Sequence, residues 1–258
     1  MDPATAVMQA LTTTENAGLV MDFDGVLSPI TDDPDASELL PGTESILAGL
    51  ATRLSVVALL SGRPVSFLAA RASIPGVELY GSYGLEHLTE GGIEVVPEAR
   101  QWMAAVEQAA HVLHQELDGV EGIYVEDKSL AVAVHWRRAP DRDNATKRIF
   151  PLIQEVIDAH GLRHEPGKFV EELRMPLNQD KGTALVRIIS TQNLQTVAYA
   201  GDDRGDLPAF KAATAARGYT LVIDGPDIAP EVGEVAGPHF DGPEDFQSWL
   251  RQLNDAIR

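Results

Sequence analysis

The chain has 258 residues, 44% of them hydrophobic, and a formal net charge of −19. That apolar content supports a packed core and excludes a disordered chain, while the acidity excludes a general nucleic-acid binder, which needs a basic footprint. There is no cysteine, so disulfides, thiolate nucleophiles and cysteine metal sites are excluded as well. No apolar run approaches the about 20 residues of a membrane span. The first 18 residues carry neither a basic segment nor a secretory cleavage pattern. The expectation is a cytoplasmic monomer acting on a small molecule, engaging neither nucleic acid nor membrane.

In chain order, the first strong signal is Gly18-Leu19-Val20-Met21-Asp22, an apolar run that ends in acid and glycine. A helical pattern over 44–53 leads to the run 54–60, which closes on Ser61-Gly62-Arg63-Pro64. A helix over 65–72 and a strand over 77–81 follow. Far downstream, 196–200 ends at Gly201-Asp202-Asp203, and 220–223 ends at Asp224-Gly225, with helical patterns over 181–190, 207–216 and 244–257. Continuous apolar runs of this length read as strands buried on both faces. Alternation of strand and helix implies a parallel sheet covered by helices. The middle differs. A long helix is expected over 98–117, two closely spaced strands over 122–128 and 130–137, a helix over 142–160 and a third strand over 168–174. Strands so close in sequence pair antiparallel. The fold expected is therefore α/β, a Rossmann-like parallel-sheet core formed by 1–90 and 177–258, with residues 91–176 as an inserted α+β cap domain.

The polar residues gather where the parallel strands end, which is where open α/β sheets bind ligands. Asp22 and Asp24 stand two apart, so on an extended chain their carboxylates face one volume. Two carboxylates held together repel unless a cation or proton intervenes. An all-oxygen donor set suits Mg²⁺. An acidic turn after a strand would have the same sequence. A second acidic cluster, Gly201 to Asp206, follows another strand, and Asp202 could complete the metal site. Asp206 has an alternative role as N-cap of the helix beginning at Leu207-Pro208. Ser61, Gly62 and Arg63 combine a hydroxyl and backbone amides with a helix N-terminus, an anion site or an ordinary capped turn. Lys181 begins a helix, where the macrodipole disfavours a cation; a bound phosphate would reverse that penalty, and a solvated surface lysine would ignore it.

Taken together, Asp22-x-Asp24, Ser61, Lys181 and Gly201-Asp202-Asp203 resemble the four ordered motifs of the haloacid dehalogenase superfamily of aspartate-nucleophile phosphatases. The insertion resembles that superfamily's C2B-type cap. Within the superfamily the chain is similar to the trehalose-6-phosphate phosphatases through Asp22-Phe23-Asp24-Gly25-Val26-Leu27-Ser28-Pro29-Ile30, Glu126-Asp127-Lys128, His135-Trp136-Arg137, Glu172-Leu173-Arg174 and Lys181-Gly182.

The resemblance implies that Asp22 is the nucleophile and Asp24 the general acid and base. It implies that Ser61, Gly62, Arg63 and Lys181 bind phosphate. Mg²⁺ would be held by Asp22, the Asp24 carbonyl and Asp202, with Asp203 and Asp206 orienting water around it. Glu126, Lys128 and Glu172 would bind sugar hydroxyls, making the cap the source of selectivity. The substrate so implied is trehalose 6-phosphate. Sucrose 6-phosphate or a glycosylglycerate phosphate is the nearest alternative, and a non-catalytic phospho-acceptor module or a silent sugar-phosphate sensor a more distant one. Val26 stands where the family usually has Thr, and Tyr83 where His is common. The motif Gly-Asp-Asp-Arg-Gly-Asp-Leu replaces Gly-Asp-Asp-x-Thr-Asp-Glu, features that resemble an actinobacterial branch.

Overall fold

The computed structural model describes residues 1–31, 34–167, 169–226 and 228–256. The chain opens with α1 (Pro3–Thr13), β1 (Ala17–Met21), α2 (Thr43–Ala51), β2 (Val56–Leu60), α3 (Val65–Ala72) and β3 (Val77–Gly81), then β4 (Glu86–Thr89) and β5 (Gly92–Val95). Next come α4 (Pro97–Arg100), α5 (Met103–Leu117), β6 (Tyr124–Asp127), β7 (Ala131–His135), α6 (Arg142–His160), β8 (Arg163–Gly167) and β9 (Val170–Arg174). The chain continues with α7 (Lys181–Thr191), β10 (Thr196–Gly201), α8 (Leu207–Ala215), β11 (Tyr219–Asp224), α9 (Pro230–Gly233), β12 (His239–Asp241) and α10 (Gly242–Ala256). Among the described residues no helix is long and apolar enough to cross a membrane.

The chain divides into two compact units, Met1–Glu94 with Gln179–Arg258, and Val95–Asn178. The larger unit carries an eight-stranded sheet in the order β12-β11-β10-β1-β2-β3-β4-β5. The pairs from β12 to β3 are parallel, and β3–β4 is antiparallel. From β1 the chain steps outward one way through β2 and β3, and later the other way through β10, β11 and β12. The strand order therefore reverses at β1, and the crevice at such a switch point is the ligand site of open α/β sheets.

Each central strand is buried on both faces, which explains its unbroken apolar sequence. Leu19, Met21, Val57 and Leu59 pack with residues of α1, α2, α3 and α10. Their neighbours Val20, Ala58 and Leu60 pack with residues of α7 and α8 on the opposite face. Each of these valine, leucine and methionine side chains contributes about 1.5–3 kcal/mol on burial. Together they fix the register that brings the strand ends level.

The smaller unit is a four-stranded antiparallel sheet in the order β6-β7-β9-β8, with α5 and α6 against it. Its sequence alternates as a one-sided sheet requires. In β9, Glu171 and Leu173 are buried, while Val170, Glu172 and Arg174 are half-buried.

Several expected elements change form. The single helix expected over 98–117 is two, because the chain breaks at Gln101 and Trp102 between α4 and α5. The strand expected over 168–174 begins at Val170, and its first expected residue, Lys168, lies outside the described residues. Helix α1 and strands β4, β5, β8 and β12 have no counterpart in the sequence reading. β8 reads Arg-His-Glu-Pro-Gly, with a proline and no apolar alternation, and owes its conformation to pairing with β9.

Candidate active site

Three adjacent parallel strands, β10, β1 and β2, deliver Asp202, Asp22 and Ser61 to the same sheet edge. Asp22 follows β1, and its amide donates to the Ala200 carbonyl of β10 at 3.0 Å. Its side chain is buried. Oδ1 accepts the Phe23 amide at 2.7 Å, and Oδ2 meets Lys181 Nζ at 2.6 Å.

Asp24 takes a different direction. Its two oxygens receive Arg63 Nε at 2.9 Å and Nη2 at 3.2 Å, a bidentate pair. The expectation that the Asp22 and Asp24 carboxylates face one volume rested on strand alternation. The strand ends at Met21, and beyond it the chain turns through Gly25 at φ +74°. That glycine is required twice over: its backbone is left-handed, and a Cβ there would lie 2.0 Å from Asp202 Oδ2. The first acidic loop thus packs directly onto the second.

Asp22, Asp202, Asp203 and Asp206 place one oxygen each within 4.8 Å of one another. Asp206 is fully buried at the centre. Its Oδ1 accepts Lys181 Nζ at 2.7 Å and the Tyr199 hydroxyl at 2.5 Å, and its Oδ2 accepts the amides of Asp202 at 3.0 Å and Asp203 at 3.1 Å. The alternative role as cap of the following helix is therefore corrected. Asp206 precedes α8, but its side chain makes no capping bond there and turns back to the 202–203 loop. A carboxylate with four donors is more stable facing them than facing one further amide.

Lys181 is not a solvated surface residue: it is 3% exposed. The helix it begins is capped by Asp180, which accepts the Thr183 amide at 2.7 Å, so the terminus is satisfied without it. Burial works against its charge, yet Asp206 and Asp22 hold the ammonium well above the ordinary lysine range. The same pairing keeps Asp206 ionised, below the usual carboxylate range, although burial opposes it. One cation does not satisfy the other acids. Burial pushes Asp22 up to about 7, with Lys181 opposing and Asp206 and Asp203 reinforcing. Asp202 is pushed up to about 8 by burial and by the charges of Asp22, Asp206 and Asp203.

Ser61 is buried, and its Oγ accepts the Arg63 amide at 3.2 Å rather than capping α3, whose N-cap is Pro64. The first amide of α3, on Val65, goes to the buried Glu86 carboxylate at 2.9 Å. The helix N-terminus expected as an anion site thus already faces an anion of the protein's own. Tyr199 was missed in the sequence, and Glu86 was read there only within the Gly81-x-Tyr83-Gly84-x-Glu86 stretch, without a role. Tyr199 was legible in principle, since a tyrosine inside a buried strand needs a partner for its hydroxyl.

In the smaller unit, Glu126, Lys128 and Glu172 come together on one face of the sheet. Glu126 and Glu172 both pair with Ala133, whose small side chain separates them. Lys128 Nζ lies 2.7 Å from Glu172 and 3.7 Å from Glu126. His135 Nε2 reaches Glu126 at 2.8 Å.

The fold is haloacid dehalogenase-like. A solved haloacid dehalogenase-like hydrolase from Bacteroides thetaiotaomicron aligns over 94% of this chain and all of its own, with a TM-score of 0.63 at 14% identity. A trehalose-6-phosphate phosphatase related protein of known structure covers 93% of this chain and 97% of its own, with a TM-score of 0.76 at 20% identity. Within that class the trehalose-phosphatase family profile matches residues 20–227, and the chain belongs to that family. A trehalose-phosphate phosphatase of Mycobacterium marinum is 36% identical over 206 residues, which cover 78% of this chain. The chain spans about half the length of that relative, 52%.

Proposed function

We propose that this chain is a phosphatase that releases phosphate from trehalose 6-phosphate through an aspartyl phosphate on Asp22, with Mg²⁺ as cofactor. The observation that carries the reading is the contact of Asp22 with Lys181 at 2.6 Å inside an acidic cluster at the sheet's switch point. Four carboxylates drawn together around one ammonium group leave excess negative charge. Their all-oxygen donor set fits a hard cation. Asp22, Asp202 and the Asp24 carbonyl are the groups assigned to hold it, with Asp203 supporting its hydration and Asp206 holding the 202–203 loop through its amides. When bound, the ion neutralises charge on the phosphoryl oxygens and on the acids that otherwise repel an incoming phosphate.

The chain's own groups carry the steps. Phosphoryl transfer needs in-line attack and a cradle for the equatorial oxygens. A carboxylate oxygen of Asp22 bonds to phosphorus as the bond to the sugar oxygen breaks, giving an acyl phosphate. Asp24 gives the departing sugar oxygen its proton, then takes one from the water that hydrolyses the acyl phosphate. Arg63, chelating Asp24, orients it for both transfers. Lys181, the Ser61 hydroxyl and the Gly62 amide steady the phosphoryl oxygens, the Arg63 amide being donated to Ser61. Asp206 and Tyr199 hold Lys181 in place.

The smaller unit is assigned the reading of the sugar. Carboxylates and an ammonium group on one sheet face are a donor and acceptor array for vicinal hydroxyls, and such a site rejects analogues lacking those hydroxyls strongly.

The test is phosphate release from trehalose 6-phosphate beside glucose 6-phosphate and sucrose 6-phosphate, with Mg²⁺ and with a chelator. Preference for trehalose 6-phosphate, abolished reversibly by chelation, is expected. Equal turnover of the three sugar phosphates would remove the substrate assignment, and undiminished turnover in chelator would remove the metal.

A further inference from the structure

Glu86 is a buried carboxylate that the mechanism above leaves without a role. It opens β4, is 1% exposed, and accepts the Val65 amide and the Ser82 hydroxyl, both at 2.9 Å and both on Oε2. Val65 is the first residue of α3, so the carboxylate sits at the positive end of that helix and takes up an amide with no partner within the helix.

The residues just before Glu86 grip the loop that leads into α3. Ser82 donates its amide to the Arg63 carbonyl at 2.7 Å, and Tyr83 donates to the Ser61 carbonyl at 2.9 Å. Both grips require left-handed backbone, φ +49° at Ser82 and +58° at Tyr83. Non-glycine residues hold that conformation where surrounding contacts enforce it. Gly81 permits the approach, since a Cβ there would stand 2.1 Å from the Val65 nitrogen. Gln179 Nε2, two residues before Lys181, donates to the Tyr83 carbonyl at 2.8 Å and ties the same turn to the start of α7.

Arg63 leaves this gripped loop and forks onto Asp24, with its guanidinium carbon 4.5 Å from the centroid of the Phe67 ring. Phe67 belongs to the first turn of α3. The position of the helix start thus decides where Phe67 stands, and Phe67 is the platform on which Arg63 lies.

We infer that Glu86 is a positioning residue for phosphoryl transfer: by anchoring α3 at Val65 it holds Arg63 on Asp24 in the geometry that proton transfer needs. This rests on the assignment of Asp24 as the proton-transfer group. A misplacement of about 1 Å at such a group costs up to about a hundredfold in rate, so a buried anchor outside the site can govern turnover.

Two near-isosteric variants test it. Glu86→Gln keeps an acceptor oxygen for both donors, whereas Glu86→Met fills the same space and accepts from neither. With a small aryl phosphate at a temperature where circular dichroism shows folded protein, Glu86→Met is expected to lower kcat at least about tenfold with KM within about twofold, and Glu86→Gln to stay within about threefold of wild type. In N–H correlation spectra the exchange-protected Arg63 Nε–H signal is expected in wild type and Glu86→Gln and not in Glu86→Met. Should Glu86→Met fail to fold, Glu86→Asp takes its place, because its shorter side chain withdraws the acceptor from Val65. Wild-type kcat together with a retained Arg63 signal in the acceptor-less variant would overturn the inference and leave Glu86 a helix cap. If wild type hydrolyses no phosphate monoester, the functional reading fails, and the Arg63 signal still decides whether Glu86 holds the Arg63–Asp24 pair.

Discussion

At the scale of single residues, the site is a set of charges that need one another. Lys181 lies between Asp22 and Asp206 with all three buried. Lys181→Met removes an ammonium group in contact with both acids and is expected to cost about 3–5 kcal/mol, the usual consequence of stranding buried charge. A fall in denaturation midpoint at unchanged slope in urea would measure it. Asp22→Asn removes the proposed nucleophile while relieving repulsion from Asp206 and Asp203, so turnover is expected to fall more than about a thousandfold with stability retained. Phosphate release beside thermal melting checks both halves, and near-normal turnover would displace Asp22 from its role. Gly25→Ala drives a methyl group into Asp202 at a left-handed position; lost activity at a lowered melting temperature is the expected result. The ends of the apolar runs pointed to Asp22, Lys181 and Asp202, and the structure draws Asp202 and Lys181 to Asp22. Asp206 was legible as important but not for the right contact. Its Lys181 partner is 25 residues away in sequence, and local patterns carry no record of such a pairing. Glu86 stood in the sequence only as the end of the Gly81-x-Tyr83-Gly84-x-Glu86 stretch, with nothing to give it a role among 39 acidic residues.

At the scale of elements, the apolar runs that became β1, β2, β10 and β11 were read within two residues of their ends, since strands buried on both faces leave no polar position to blur the pattern. Elements held by their neighbours rather than by composition were not. β8 is one such, and the β4–β5 segment, short and rich in polar residues and glycine, is another. In the smaller unit, the Glu126–Ala133–Glu172 row follows from antiparallel register, and a slip of one residue would turn both glutamates to the other face. Glu126→Ala is therefore expected to lower turnover of trehalose 6-phosphate much more than that of a small aryl phosphate, compared as kcat/KM. Equal losses would remove this sheet face from substrate selection. His114, near the end of α5, has its pKa raised by hydrogen bonds to Asp118 and Asp127 and by their charges. A raised folded-state value stabilises below the unfolded value of about 6.5 and is lost as pH rises through the folded value. His114→Gln should flatten that part of the stability profile, read as melting temperature against pH.

Across the whole molecule, the formal charge of −19 and the acidic cluster act in the same direction. Asp202, pushed from 3.8 up to about 8, and Asp22, pushed up to about 7, bind protons more tightly folded than unfolded. The folded state then holds more protons between pH 4 and 8, and stability falls as pH rises through that window. In chelator, the melting temperature is expected to decline from pH 5 to 8. With Mg²⁺ the decline should shrink, because a bound cation displaces those protons. An identical profile with and without Mg²⁺ would show that diffuse surface charge, rather than the cluster, sets the slope. The smaller unit, Val95–Asn178, carries closely spaced antiparallel strands where the larger carries buried parallel runs, and that change of pattern is what the sequence displays.

The divided larger unit also constrains how the protein matures during translation. Asp22 and Ser61 leave the ribosome before the lysine and acids that complete their surroundings, which are encoded after residue 180, and β1 pairs on one side with a strand that begins at Thr196. A nascent chain can bury β1 against β2 and still hold no assembled cluster. The cluster can therefore form only after Asp206 has emerged, and a polypeptide cut short within the insertion would lack it however well β1 and β2 had paired.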